Sequence, residues 1–283
     1  MLRIAIPNKG SLSGPASDML HEAGYRQRSD SKELVVVDEE NGVEFFYLRP
    51  RDIAVYVGSG RLDIGITGRD LLLDSAAPAA EVLPLGFARS TFHFAAVPGT
   101  AKTVQDLGGL TVATSYPGVV AKHLADHGVE GGKVVRLDGA VETSLRLGVA
   151  DVIADVVETG RTLAHLGLRV IGEPIMESEG IVVRPADADT EDEAAARFLR
   201  RLESVLVARG YVMMDYDIRV EDVERAVALT PGLESPTVSP LHREGWAAVR
   251  AMVPTDQAQR IMDELEASGA RAILTTRIHA CRL

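Results

Sequence analysis

Short runs rich in β-branched residues recur along the first two thirds of this chain, separated by stretches with helical periodicity. That alternation limits the fold more than any other feature. Runs that read as strands are Leu2–Ile6, Leu34–Val37, Val43–Leu48, Asp63–Ile66, Phe92–Val97, Leu110–Thr114, Val134–Leu137, Asp151–Val156 and Gly180–Val183. Helix-period stretches such as Gly118–His127 and Val141–Leu147 lie between several of them. The pattern predicts an α/β fold with largely parallel sheets. One hairpin joins Leu34–Val37 to Val43–Leu48 across residues 38–42. The clearest helix is Glu191–Arg209, with Thr190 expected as its N-cap, Glu193 completing a capping box and Gly210 supplying the stop.

After Gly210 the rhythm changes. Tyr211–Asp217 reads as strand, Val220–Leu229 as helix, Thr237–Leu241 and Trp246–Val253 as strands, Thr255–Ser268 as helix and Ala270–Ile278 as strand. The order βαββαβ is the ferredoxin-like arrangement and predicts a separate small domain. Trp246 and the pair Met213–Met214 read as its core.

Charge and cysteine content narrow the function classes. With 30 basic and 41 acidic residues the formal charge is −11, which argues against non-specific binding to nucleic acid or to anionic membrane. The single cysteine, Cys281, excludes an intrachain disulfide and a cysteine-based zinc site. The first apolar stretch is too short for a signal peptide and no run of membrane-spanning length occurs, so a soluble cytoplasmic protein is expected.

The segment Ile153–Leu163 carries the most chemistry. An apolar strand ends in Asp155, and a short loop then presents Thr159, Gly160, Arg161 and Thr162 at a helix start. Unpaired N–H groups, two hydroxyls and a cation suit a phosphate, and Asp155 is placed to accept hydrogen bonds from sugar hydroxyls. An ordinary capped strand–loop–helix turn has the same local pattern. Other basic residues follow strand ends: Lys9, Arg49, Arg51 and Arg69. Because ligands sit outside the carboxyl ends of strands in open α/β sheets, these four and Arg161 are expected to form one cationic pocket. The P-loop, dinucleotide and nucleophile-elbow motifs are missing, and His123 with His127 reads as a solvated helix face.

The stretch Glu142–Leu163 resembles the signature of the ATP phosphoribosyltransferases: Glu142, Gly148, Ala150, Ile153, Asp155, Val156, Thr159, Gly160, Thr162 and Leu163 all stand at its constrained positions. Pro7–Gly10, Gly65–Asp70 and Thr230–Thr237 extend the likeness over the chain. The C-terminal domain marks the long form, closest to actinobacterial members. The resemblance implies two α/β lobes of the periplasmic-binding-protein type, residues 1–90 with 179–210 and residues 91–178, plus a ferredoxin-like regulatory domain over 211–283. It implies transfer of the phosphoribosyl group of 5-phosphoribosyl pyrophosphate to N1 of ATP, the first step of histidine biosynthesis, with Mg²⁺ carried by the donor.

By motif position, Thr159, Gly160, Arg161 and Thr162 would cradle the donor's 5-phosphate with Glu158 beside them, and Asp155 would hold its ribose. Lys9, Arg49, Asp70 and Tyr116 would line the cleft. No residue is implied as a covalent or acid–base catalyst, none as a metal ligand, and Glu142 receives no role. Histidine would inhibit from the third domain at Asp217, Leu233, Thr237 and Ala272. AMP is a further candidate cleft ligand, and the family implies a homo-oligomer, dimer or hexamer. Two other readings remain open at this level: a non-catalytic two-lobed binding protein, and a purine-salvage phosphoribosyltransferase, whose donor loop is similar but carries an acidic pair that this chain lacks.

Overall fold

The computed structural model describes residues 1–157, 161–189 and 191–282. The first sheet contains β1 (Leu2–Pro7), β2 (Val35–Asp38), β3 (Val43–Leu48), β4 (Ile64–Gly68), β5 (Ala79–Pro84) and β11 (Gly180–Pro185), in the order β2-β3-β1-β4-β11-β5. The second contains β6 (Ser90–Ala96), β7 (Thr111–Thr114), β8 (Lys133–Arg136), β9 (Val152–Val157) and β10 (Arg169–Ser178), in the order β10-β6-β9-β7-β8. Their helices are α1 (Ser13–Glu22), α2 (Pro50–Gly58), α3 (Arg69–Ser75), α4 (Pro117–Asp126), α5 (Thr143–Arg146) and α6 (Arg161–His165). Both sheets belong to one compact unit, Met1–Asp18 with Tyr25–Ala195.

Largely parallel sheets were expected; both are mixed. β1 runs parallel to β3 and β4, and β7 parallel to β8 and β9. The pairs β2–β3, β4–β11, β11–β5, β10–β6 and β6–β9 are antiparallel. Connectivity explains this: the chain leaves the first sheet from β5 into β6 and returns from β10 into β11. These crossing segments are extended strands that skip the helical crossover parallel pairing needs.

Each sheet is built around a small apolar core. Ile53, Ala54 and Val57 of α2 are fully buried against the first sheet, and α2 approaches so closely that a Cβ at Gly65 would stand 2.5 Å from the Ile53 side chain. Phe92, Phe94, Val112 and Val152 of the second sheet pack with Val120 and Leu124 of α4. Each such side chain contributes about 1.5–3 kcal/mol relative to exposure.

α7 (Glu193–Gly210) begins later than its periodicity suggested. The Asp192 carboxylate accepts hydrogen bonds from the Ala194 and Ala195 N–H groups at 3.0 and 3.2 Å and caps the helix. The expected cap, Thr190, lies outside the described residues. Gly210 is the last helical residue and has no left-handed φ, so the chain passes into the next strand without a glycine stop.

The second unit is Met19–Gly24 with Ala196–Leu283. It holds a four-stranded antiparallel sheet of β12 (Tyr211–Arg219), β13 (Thr237–Pro240), β14 (Trp246–Pro254) and β15 (Arg271–Arg277), in the order β13-β14-β12-β15. With α8 (Val223–Leu229) and α9 (Ala258–Ala267) this is the ferredoxin-like arrangement. Met214, Tyr216, Ile218, Val249, Val253, Ile261 and Leu265 form its core. Trp246, expected there, is buried outside that cluster: alternation along β14 puts it on the face of Ala248 and Arg250, opposite Val249 and Val253. No helix among the described residues is long and apolar enough to cross a membrane.

Candidate functional site

A cleft of about 370 Å³ opens between the first two sheets, lined by Lys9, Arg51, Asp70, Tyr116, Asp155 and Ser178 among others. Each comes from a strand end or the turn after it. Lys9 follows β1, Asp70 stands in the first turn of α3 directly after β4, Tyr116 precedes α4, and Asp155 lies near the end of β9. Five of the sequence-derived positions, Lys9, Arg51, Asp70, Tyr116 and Asp155, therefore meet in one space. Arg49 is exposed, caps α2 by backbone only, and is not among the residues lining the cleft. Its neighbour Arg51 is. Glu158, Thr159 and Gly160 lie outside the described residues, as do the side chains of Arg161 and Thr162.

Asp70 is only 8% exposed. The Ser178 hydroxyl accepts from its backbone N–H at 3.1 Å and donates to its Oδ1 at 2.8 Å. Gly68 is required here, because a Cβ at that position would collide with the Asp70 carboxylate. Burial, reinforced by the negative charge of the Asp70 carboxylate, pushes the Tyr116 phenol far above its ordinary range. The ring therefore stays neutral. It stands edge-on to Phe92, centroids 5.1 Å apart, with the Arg51 guanidinium 4.9 Å from its centre.

Arg51 is itself held. Its Nη1 pairs with Asp74 Oδ2 at 2.8 Å, while Asp74 Oδ1 accepts from the Gly118 N–H at 2.8 Å and the Val119 N–H at 3.4 Å. A carboxylate on the first sheet's helix α3 thus ties down the start of α4 on the second. There is no room for a side chain at Gly118, since a Cβ would lie 2.6 Å from the Asp74 carbonyl oxygen. Sequence analysis missed Asp74 and Ser178. A weak signal existed for the first: Asp74 stands one helical turn beyond Asp70.

Asp155 is half-buried and accepts a hydrogen bond from the Val156 N–H at 2.8 Å. Burial raises its pKa, and the Glu142 carboxylate raises it further. Glu142 is therefore electrostatically part of the site. His93 stands cross-strand from Asp155. Burial lowers its pKa, and its Nε2 lies 3.1 Å from the Thr91 hydroxyl. Arg69 serves a different purpose from the one expected. Hydrogen bonding to Glu81 at 2.7 and 2.8 Å, and to Glu179 at 3.2 Å, holds its guanidinium well above the usual range. Its charge is compensated locally. Among the described residues no group of three or more His, Cys, Asp or Glu could hold a metal ion.

In the second unit, Asp217 lies cross-strand from Arg271, and Ala272 follows in a β-bulge with a left-handed φ of 50°. Thr237, exposed, opens the edge strand β13, separated from β15 by β14 and β12, and Leu233 is half-buried in the preceding loop. Asp217 and Ala272 are thus neighbours, with Thr237 further along the sheet.

Residues 49–204 match a family model described as ATP phosphoribosyltransferase, and residues 208–280 match the HisG C-terminal domain. The chain is 72% identical to an ATP phosphoribosyltransferase of Streptomyces avermitilis and 71% identical to that of Streptomyces coelicolor, over the whole of each chain. A solved ATP phosphoribosyl transferase (HisG:HisZ) complex from Thermotoga maritima has a chain 28% identical to this one with a TM-score of 0.63. The match covers 73% of this chain and 99% of that one.

Proposed function

The chain belongs to the ATP phosphoribosyltransferase family, the enzymes that join ATP to 5-phosphoribosyl pyrophosphate in histidine biosynthesis, and we propose that the cleft between its first two sheets is where those substrates meet. The observation carrying this reading is the convergence of Lys9, Arg51, Asp70, Tyr116 and Asp155 on that one space. The domain assignment follows: residues 1–90 with 179–210 and residues 91–178 as the two lobes, and 211–283 as the regulatory domain.

The donor's 5-phosphate lies against Thr159, Gly160, Arg161 and Thr162, next to Glu158, and its ribose hydroxyls donate to Asp155. Neutral Tyr116, steadied by Arg51 and Asp70, is a flat polar platform for adenine, and Lys9 faces phosphate oxygens, with Arg49, two residues before Arg51, as a further cation. Adenine N1 attacks the anomeric carbon as the bond to pyrophosphate breaks. Adenine N1 is a weak nucleophile, so the rate comes from alignment and from charge fixed beforehand around an oxocarbenium-like centre. The Glu142 carboxylate sits close enough to oppose ionisation of Asp155, and such hard oxygen donors fit Mg²⁺ entering on the donor. The ion supplies charge neutralisation on the leaving pyrophosphate.

The same reading places the enzyme in the cytoplasm as a homo-oligomer, dimer or hexamer. AMP competes in the cleft. Histidine inhibits through Asp217, Leu233, Thr237 and Ala272 by binding two arrangements of the enzyme with different affinity. The experiment mixes the protein with ATP, 5-phosphoribosyl pyrophosphate, Mg²⁺ and pyrophosphatase, and follows the near-ultraviolet absorbance of N1-substituted adenine. A rise suppressed by histidine, and no longer suppressed in Asp217→Ala, supports the reading. A rise that histidine never affects removes the regulatory part, and no rise with an intact fold removes the whole.

A further inference from the structure

The C-terminal unit carries a cluster that neither the transfer reaction nor the histidine positions use. Trp246 is 6% exposed, and its indole N–H is buried without a hydrogen-bond partner among the described residues. Three guanidiniums surround its ring, those of Arg219, Arg243 and Arg271, at 5.0, 5.1 and 5.6 Å from the ring centre. A ring has two faces, so cation–π attraction cannot account for three cations. All three are close to the same centre, so each pair repels within about one Debye length, ~10 Å at 0.1 M salt.

Nothing among the described residues neutralises them. None of the three makes an ion pair of 4.0 Å or less with a described acid. Asp215 holds Arg250 at 2.6 Å and Asp222 holds Arg225 at 3.0 Å, while Glu221 and Glu244, two residues and one residue from Arg219 and Arg243 in sequence, make no ion pair with them. Asp217 lies at the register position opposite Arg271 without pairing with it. In a chain of net charge −11, three uncompensated cations around one indole are a marked local reversal.

The backbone fixes the arrangement. Arg219 is the cross-strand partner of Trp246. Arg243 lies in the β13–β14 connection, where the Trp246 N–H donates to the Arg243 carbonyl at 3.3 Å. The Gly245 carbonyl accepts from the Val220 N–H at 3.1 Å, binding that connection to the end of β12. Gly245 adopts a φ of 75°, open to glycine at no steric cost.

We propose that Trp246, Arg219, Arg243 and Arg271 form an anion site for a phosphate chain, separate from the catalytic cleft. The cluster offers only N–H donors and three positive charges. A carboxylate neutralises one of them, whereas a di- or triphosphate chain matches both the charge and the spread of donors.

Trp246 is the only tryptophan in the sequence, so its emission reports the site directly. Inorganic tripolyphosphate is titrated into the full-length protein against sodium chloride at matched ionic strength. A saturable change in emission is expected with tripolyphosphate and not with chloride. Arg243→Gln and Arg271→Gln, both exposed and neither leaving an acid unpaired, should each weaken half-saturation roughly tenfold, the loss of one charge-assisted contact, with unchanged far-ultraviolet circular dichroism. Uridine triphosphate at the same half-saturation assigns recognition to the phosphate chain, and tighter binding adds the nucleoside. No saturable change, or half-saturation in both variants equal to the parent's, overturns the site. The latter result would mean that Trp246 responds to occupancy of the cleft.

Discussion

Replacing Asp74 by alanine tests whether the cleft is held in shape by the contact between α3 and α4. The side chain is 9% exposed and makes three contacts: the Arg51 ion pair at 2.8 Å and the N–H groups of Gly118 and Val119. Losing it leaves the start of α4 without its acceptor, at about 1–3 kcal/mol for a donor left unpaired. The Arg51 pair adds only about 0.2–1 kcal/mol, because Arg51 is 35% exposed. The sum is roughly 1–4 kcal/mol, a fall of several degrees in Tm for a chain of this size. Function should suffer as well, since Arg51 lies over Tyr116 only while Asp74 holds it. The KM for ATP is expected to rise more than kcat falls, while affinity for 5-phosphoribosyl pyrophosphate changes little. Asp74→Asn, which keeps one acceptor, should recover part of both losses. Thermal unfolding combined with steady-state kinetics decides it: an alanine variant within about 0.5 kcal/mol of the parent, with unchanged KM for ATP, refutes the reasoning.

Other consequences can be measured independently. The raised pKa of Asp155 means that its carboxylate takes up a proton at a higher pH than an ordinary aspartate, so donor affinity should decline on acidification from above the usual carboxylate range; the decline should vanish in Asp155→Asn, and a profile identical in both proteins contradicts it. Tyr116→Phe keeps the ring against Phe92 but removes the hydroxyl near Asp70, and should raise the KM for ATP by roughly threefold to tenfold with the fold intact; an unchanged KM denies that contact a role. Arg69→Met should lower stability by about 1–2 kcal/mol through loss of the Glu81 and Glu179 contacts and leave donor affinity as it was; calorimetry showing weaker donor binding would return Arg69 to the site. Gly118→Ala should mimic the Asp74 variant at about 1–3 kcal/mol because the Asp74 carbonyl blocks a Cβ, which urea unfolding would read.

The strands legible in the sequence were those whose β-branched residues are buried on the sheet faces, such as Val43–Leu48 and Val152–Val157. β10 escaped notice because Gly172 and Pro174 interrupt it, and its pairing with β6 shifts register between Ile171 and Met176. α2 and α3 begin on Pro50 and Arg69, directly after strand ends, where Pro, Gly and Arg read as loop. Direction was less legible than position, because periodicity records which face a residue occupies and not which way its neighbour runs. Asp70, Tyr116 and Asp155, expected from the family resemblance to line one cleft, do line one space, since strand ends in α/β sheets converge. Spacing gave only a weak sign of Asp74 and none of its backbone partner Gly118, 44 positions away in sequence. It also misplaced Arg69, whose nearness to Glu81 and Glu179 arises only when β4, β5 and β11 align.

Donor binding to Asp155→Asn bears on the central assignment more directly than any other quantity. Calorimetric titration of 5-phosphoribosyl pyrophosphate with Mg²⁺ into the parent protein should give a clear binding isotherm. The variant, equal in size and one charge poorer, should bind at least about tenfold more weakly, as expected when charged acceptors for ribose hydroxyls are lost, with an unchanged Tm. Equal affinity in the two proteins would place the donor away from the end of β9 and contradict the account of the cleft.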